Sequence, residues 1–116
     1  MGYFSSLLRA LAVSSPQRIG LLPDVPTVAE SGLPELAGFE ADQWYGIVAP
    51  AGTPAAIVQK LNAQINASLR SAEILQRLNT EGAVPTPQPP EVFGELIARE
   101  IIRWKPVVQQ AQLKPD

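Results

Sequence analysis

Residues 44–71 read WYGIVAPAGTPAAIVQKLNAQINASLRS, and the stretch changes period part-way along. Its first seven residues, Trp44–Pro50, are aromatic, β-branched or small and carry no charge. That composition suits a pleated strand, and an unbroken apolar run suits a strand covered on both faces. Pro50 ends the run because proline has no N–H to give to a ladder. From Thr53 onward the period is helical. Thr53 reads as the N-cap and Pro54 as the first helical residue, where a missing N–H costs nothing. Ile57, Leu61, Ile65 and Leu69 recur every four residues with Val58 beside them, which is one apolar stripe. The spacing predicts a helix over 54–70.

Towards the C-terminus the same logic gives two more helices. Ser71 reads as a cap with Glu73 in the first turn, Ile74, Leu75 and Leu78 form a short stripe, and Gly82 closes it, so a helix is expected over 72–81. AVPTPQPP (83–90) reads as a stiff loop. Val92, Phe93, Leu96, Ile97, Ile101, Trp104 and Val108 mark the buried face of a helix over 90–110, with Pro106 expected to kink or locally break it. Towards the N-terminus, Leu7–Val13 is a short apolar run closed by the turn signal SSPQR, and it reads as a second buried strand, although Leu and Ala also suit a helix. Between the strands lies LPDVPTVAESGLP (22–34), in which Thr27 and Glu30 match a capping box and Gly32 stops the helix after about one turn. Pro23, Pro26 and Pro34 fix the path on either side, making a rigid connection.

Composition narrows the function classes. Hydrophobic residues make up 46% of 116 residues, so one packed domain spanning 1–116 is expected. The net charge is −2 and the nine Lys and Arg are scattered, which makes nucleic acid a poor partner. With no cysteine and no histidine, thiol chemistry, disulfides, the usual zinc sites and the commonest general base are absent. No cofactor or metal is implied. MGYFSSLLRALAVSS at the start has an apolar run and small residues, but no basic region precedes the run and Arg9 interrupts it, so it does not read as a signal peptide.

Five segments taken in order, LLRALAVSSPQR, LPDVPTVAESGLP, WYGIVAPAGTPAAIVQKLNAQINASL, LNTEGAVP and EIIRWKPVVQQAQLKPD, resemble the Bug-type extracytoplasmic solute receptors of tripartite tricarboxylate transporters. The resemblance implies a two-lobed α/β fold of the periplasmic-binding-protein kind. Such receptors clamp a small carboxylate in the cleft and hand it to a membrane permease. They are longer than this chain, which resembles their C-terminal part. On that footing 1–21 holds the last strand of the second lobe, 22–43 the inter-lobe connection and 44–116 the C-terminal part of the first lobe. The expected fold is therefore a partial one, a few-stranded sheet packed with three C-terminal helices, and the expected location is periplasmic. Two local departures weaken caps: Gln88 stands where the family often has Thr or Ser, and Gln112 where it has Gly.

Ligands of open α/β sheets sit beyond the carboxyl ends of strands. Ser14 follows the first strand with a hydroxyl to donate, Trp44 and Tyr45 enter the second and can line a cleft wall, and Thr53 with the amides after it resembles an anion-binding helix start. Each has a plainer structural role as well: surface serine, core aromatics and helix cap. Asp24 and Glu30 are the remaining acid–base pair, but nothing supplies a nucleophile for them. Three functions are weighed. One is a carboxylate receptor component, with weak or no binding by this chain alone. Another is a structural remnant or dimerisation module that binds no ligand. The third is a small hydrolase using Asp24 or Glu30, which the lack of His and Cys disfavours, so no enzyme is expected. Uncovered strand and helix faces point to a homodimer, swapped through Leu7–Val13.

Overall fold

A computed structural model describes residues 7–114; residues 1–6, where the stretch weighed as a leader begins, lie outside the described residues. Three α-helices form close to the bounds that the period predicts: α1 Ala55–Ser68, α2 Ala72–Thr80 and α3 Pro90–Gln110. Two 3₁₀ turns precede them, Val28–Ser31 and Pro34–Leu36. The chain divides into two units, one of residues 1–45 with 75–84 and the other of residues 46–74 with 85–116.

The expected sheet is not there. Among the described residues no strand forms, and the only ladder element is an isolated parallel bridge between Val13 and Thr27. In it the Val13 N–H donates to the Pro26 carbonyl and the Val28 N–H to the Val13 carbonyl, each at 2.9 Å. Neither apolar run becomes a strand. Leu7, Leu8 and Leu11 are 69–89% exposed, and the main-chain groups of Tyr45–Ala49 make no hydrogen bond to other backbone groups. The physical reason is that β-propensity only expresses itself against a neighbour. An apolar run with no second strand beside it has side chains to pack but no ladder to join. The α/β reading is therefore corrected to a helical one.

In the first unit, the Pro-rich segment is held as the capping box requires. The Thr27 N–H donates to Glu30 Oε2 at 2.8 Å and the Glu30 N–H donates to Thr27 Oγ1 at 3.3 Å. Gly32, at φ 78°, closes the turn in the left-handed region. Thr27 is 3% exposed, the most covered residue described.

In the second unit, α1 packs on α3, and the expected stripe is covered only in part. The half-buried positions of α1 are Val58, Asn62, Ile65 and Asn66, followed by Leu69 at its C-cap, while Ile57 and Leu61 remain about half exposed. Two amides share the covered face: Asn62 Nδ2 and Asn66 Nδ2 donate to the one carbonyl of Gln88, at 2.9 and 3.0 Å. Thr53 is not the cap of α1. Pro54 holds that position without a side-chain bond, and the Thr53 hydroxyl donates instead to the Pro50 carbonyl at 2.7 Å. On α3 the half-buried face keeps the expected Phe93, Leu96 and Ile97 but leaves Val92 exposed. It then passes to Glu100, which is buried, while Ile101 stays 64% exposed. Helix α3 runs through Pro106 to Gln110 without breaking.

Helices α2 and α3 end in the same way. The Ala83 N–H reaches back to the Leu78 carbonyl and the Gly82 N–H to that of Asn79; the Leu113 N–H reaches Val108 and the Gln112 N–H reaches Gln109. This is the paired pattern that satisfies the last carbonyls of a helix. The left-handed residue is Gly82 (φ 72°) in one case and Gln112 (φ 53°) in the other. Among the described residues no apolar side chain is buried.

Candidate functional site

The first unit brings Ser14 to the chain just ahead of the aromatic pair. The Ser14 carbonyl accepts from the Ala41 N–H at 2.9 Å, and the Ser14 hydroxyl donates to the Ala41 carbonyl at 3.0 Å. The donor expected to greet a ligand is thus engaged in joining residues 14 and 41. Trp44 is 40% exposed and Tyr45 85%. The Tyr45 hydroxyl accepts from Gln43 Nε2 at 2.8 Å, which leaves its own proton available for an outside acceptor. Tyr45 therefore stands on the surface, while more than half of Trp44 is covered. Thr53 belongs to the second unit. Its hydroxyl is committed to Pro50, so what remains of the expected anion-binding start is the uncapped N-terminus of α1 and its orphan amides.

Glu30 does not behave as a catalytic acid. Arg18 grips its carboxylate with Nε at 3.1 and 3.2 Å and Nη2 at 2.7 Å, and also donates to the Pro23 carbonyl at 3.4 Å. The hydrogen bonds from Arg18, then that from the Thr27 amide, lower its pKa to about 2. A carboxylate held ionised and fully occupied neither gives nor takes a proton near neutrality. The same contacts raise the pKa of Arg18. Arg18 lies twelve residues from Glu30, and no local pattern announces a partner at that distance.

Two arrangements in the second unit escaped the sequence reading. The Phe93 ring lies against the backbone of Gly46, where a Cβ would collide with it. A glycine inside an apolar run was the available signal, since such a residue often marks a close approach. Further along α3, Glu100 accepts from Trp104 Nε1 at 2.7 Å and from Arg103 Nη1 at 3.3 Å. The Arg103 guanidinium stands 5.2 Å from the centre of the Trp104 ring, within cation–π range. The bond from Trp104 leads in lowering the pKa of Glu100. An acidic residue three or four places before Arg and Trp is an ordinary helix-face pair, which hides its burial from the sequence.

Among the described residues no group of acidic side chains is placed to hold a metal ion, and no helix is long and apolar enough to cross a membrane.

Residues 4–113 match the family described as the tripartite tricarboxylate transporter family receptor. The chain belongs to that receptor family. Among curated relatives, Protein BugT of Bordetella pertussis is 40% identical over 110 residues, covering 95% of this chain and 33% of the relative. A UPF0065 protein from the tcbD–tcbE intergenic region of a Pseudomonas species is 39% identical over 110 residues, 94% of this chain and 32% of the relative. A UPF0065 protein from the clcB–clcD intergenic region of Pseudomonas knackmussii is 31% identical over 112 residues, 97% of this chain and 65% of the relative. The chain thus spans about a third of the length of the first two.

Proposed function

We propose that this chain serves as part of the solute-binding component of a tripartite tricarboxylate transporter, contributing to the capture of a small carboxylate in the periplasm for transfer to a membrane permease. It acts by binding, not by catalysis. The observation that carries the reading is the family match over residues 4–113. Each unit taken by itself has compatible chemistry: in the first, the exposed Tyr45 hydroxyl can donate to a carboxylate beside Trp44; in the second, the uncapped start of α1 next to Thr53 offers amides of the right polarity. Ser14 positions the segment that carries the two aromatics through its bonds to Ala41.

A second reading, a structural or dimerising module with no ligand of its own, draws on the absence of any buried apolar side chain among the described residues. The two are separated by a chimera in which this chain replaces the matched third of a family receptor. Calorimetry on the folded chimera with citrate, glutarate, adipate and nicotinate should give micromolar binding of at least one. Its Tyr45→Phe variant should bind that ligand more weakly. A folded chimera that binds none, beside a parent receptor that does, rejects the carboxylate reading.

A further inference from the structure

Arg18 has the planar guanidinium that suits a carboxylate, and it spends it inside the chain. Its Nε and Nη2 hold Glu30, and its Nη1 reaches the Pro23 carbonyl. The carboxylate it holds is the one on which the capping box turns, since Glu30 Oε2 also accepts the Thr27 N–H at 2.8 Å. With Arg18 in place the Glu30 side chain keeps one conformation. Without it the box has to order that side chain alone.

Thr27 lies where the main chain of the first unit crosses itself. On either side of it, the Pro26 carbonyl and the Val28 N–H bond to Val13, each at 2.9 Å. The next residue, Ser14, bonds twice to Ala41, through its carbonyl and through its hydroxyl. Val13 and Ala41 are half-buried and Thr27 is buried. Residues 26–28, 13–14 and 41 are therefore joined one to the next by hydrogen bonds. No apolar side chain is buried among the described residues, so no packed core fixes the segment after Ala41 independently. That segment runs to Trp44 and to Tyr45, whose hydroxyl accepts from Gln43 and keeps a proton to give.

We propose that Arg18 is a positioning residue for carboxylate binding: through Glu30 and the bridge at Val13 it fixes the segment on which Tyr45 presents its hydroxyl. On the receptor reading, on which this rests, Arg18 is a support and not a ligand contact, because an internal carboxylate already occupies it.

Arg18→Gln and Glu30→Gln each break the ionic grip, and both leave side chains with which the capping box can close. In the chain without ligand, each variant should speed exchange of the Ala41 amide by about threefold, the size an exposed ion pair supports. The Leu69 amide of the second unit, bonded to Ile65, should not change. In the chimera described above, each should weaken carboxylate binding by a similar factor, and the double variant no more than either single one. In a Tyr45→Phe background neither should weaken it further. An Ala41 amide indifferent to both variants overturns the proposal. So does a Glu30→Gln chimera that binds more tightly, because the released Arg18 is then touching the ligand itself. A loss that persists in full beside Tyr45→Phe also overturns it, since that marks a general effect on folding. A chimera that takes no carboxylate while the Ala41 amide responds rejects the receptor reading and leaves the relay from Arg18 to Ala41 standing.

Discussion

The two matched helix ends make an internal comparison that can be turned into a measurement. Both close with the same pair of reverse bonds, yet the left-handed residue is Gly82 after α2 and Gln112 after α3. Left-handed geometry costs an L-residue about 1–2 kcal/mol, and glycine gives back about 0.5–1 kcal/mol through its greater freedom when unfolded. Gln112→Gly should therefore tighten the end of α3 by about 0.5–1 kcal/mol, and Gly82→Ala should loosen the end of α2 by about 1 kcal/mol. Space is not a confounder at Gly82, since the nearest atom to an added Cβ belongs to Leu21 at 3.5 Å, an ordinary contact. Amide hydrogen exchange reads both changes at the bonds themselves. The Gln112→Gly variant should slow exchange at Leu113 by about twofold to fivefold, and Gly82→Ala should speed it at Ala83 by about fivefold, for free energies of this size. Faster exchange at Leu113 in Gln112→Gly, or no change at Ala83 in Gly82→Ala, would refute the argument that backbone strain sets the stability of these ends.

Other perturbations follow from the same contacts. The folded pKa of Glu30, about 2, lies below its ordinary 4.5, so its contribution is present above pH 4.5 and fades as pH falls towards 2. Protection of the Thr27 amide should therefore persist at pH 5 and decline below pH 4, and Arg18→Gln should move that decline to higher pH. Trp104→Phe removes the leading donor to Glu100, and the Glu100 pKa, followed by carbon-detected titration, should rise. Gly46→Ala places a methyl in the Phe93 ring and should destabilise the second unit by about 1–3 kcal/mol, seen as a lower urea midpoint. The chain alone should bind citrate or adipate at millimolar strength or not at all in calorimetry, because a micromolar constant requires about 8 kcal/mol and one helix start supplies at most about 2 kcal/mol.

The features legible in the sequence were those that a helix or turn settles within a few residues. The expected bounds 90–110 coincide with α3, the expected 72–81 is within one residue of α2, and the Thr27–Glu30 box and both Gly caps are present. What was missed depends on residues far away in the chain. Leu7–Val13 and Trp44–Pro50 have strand composition, but a strand is a property of a pair, and their composition says nothing about whether a neighbour exists. The polar part of the covered face of α1 was hidden because Asn62 and Asn66 look like solvent residues until the Gln88 carbonyl is placed against them. For the candidate site, Tyr45 and Trp44 stand out as aromatics, but their exposure, and the capture of the Ser14 and Thr53 hydroxyls by the carbonyls of Ala41 and Pro50, depend on how the chain folds around them and not on residue type.

The fork of two amides on one carbonyl decides something that oily side chains leave open. Rows of Leu and Ile mesh almost as well after sliding one helical turn, about 5.4 Å. The fork does not: a turn earlier on α1 the pair would be Val58 and Asn62, and a turn later Asn66 and Arg70. In either case an amide is lost from the grip on Gln88. The alignment of α1 with α3 is thereby keyed to one peptide unit in the connecting loop. Residues inserted between Gln88 and Pro90 would shift α3 along α1 without moving the key, whereas exchanging Ile65 for Leu would leave the alignment where it is.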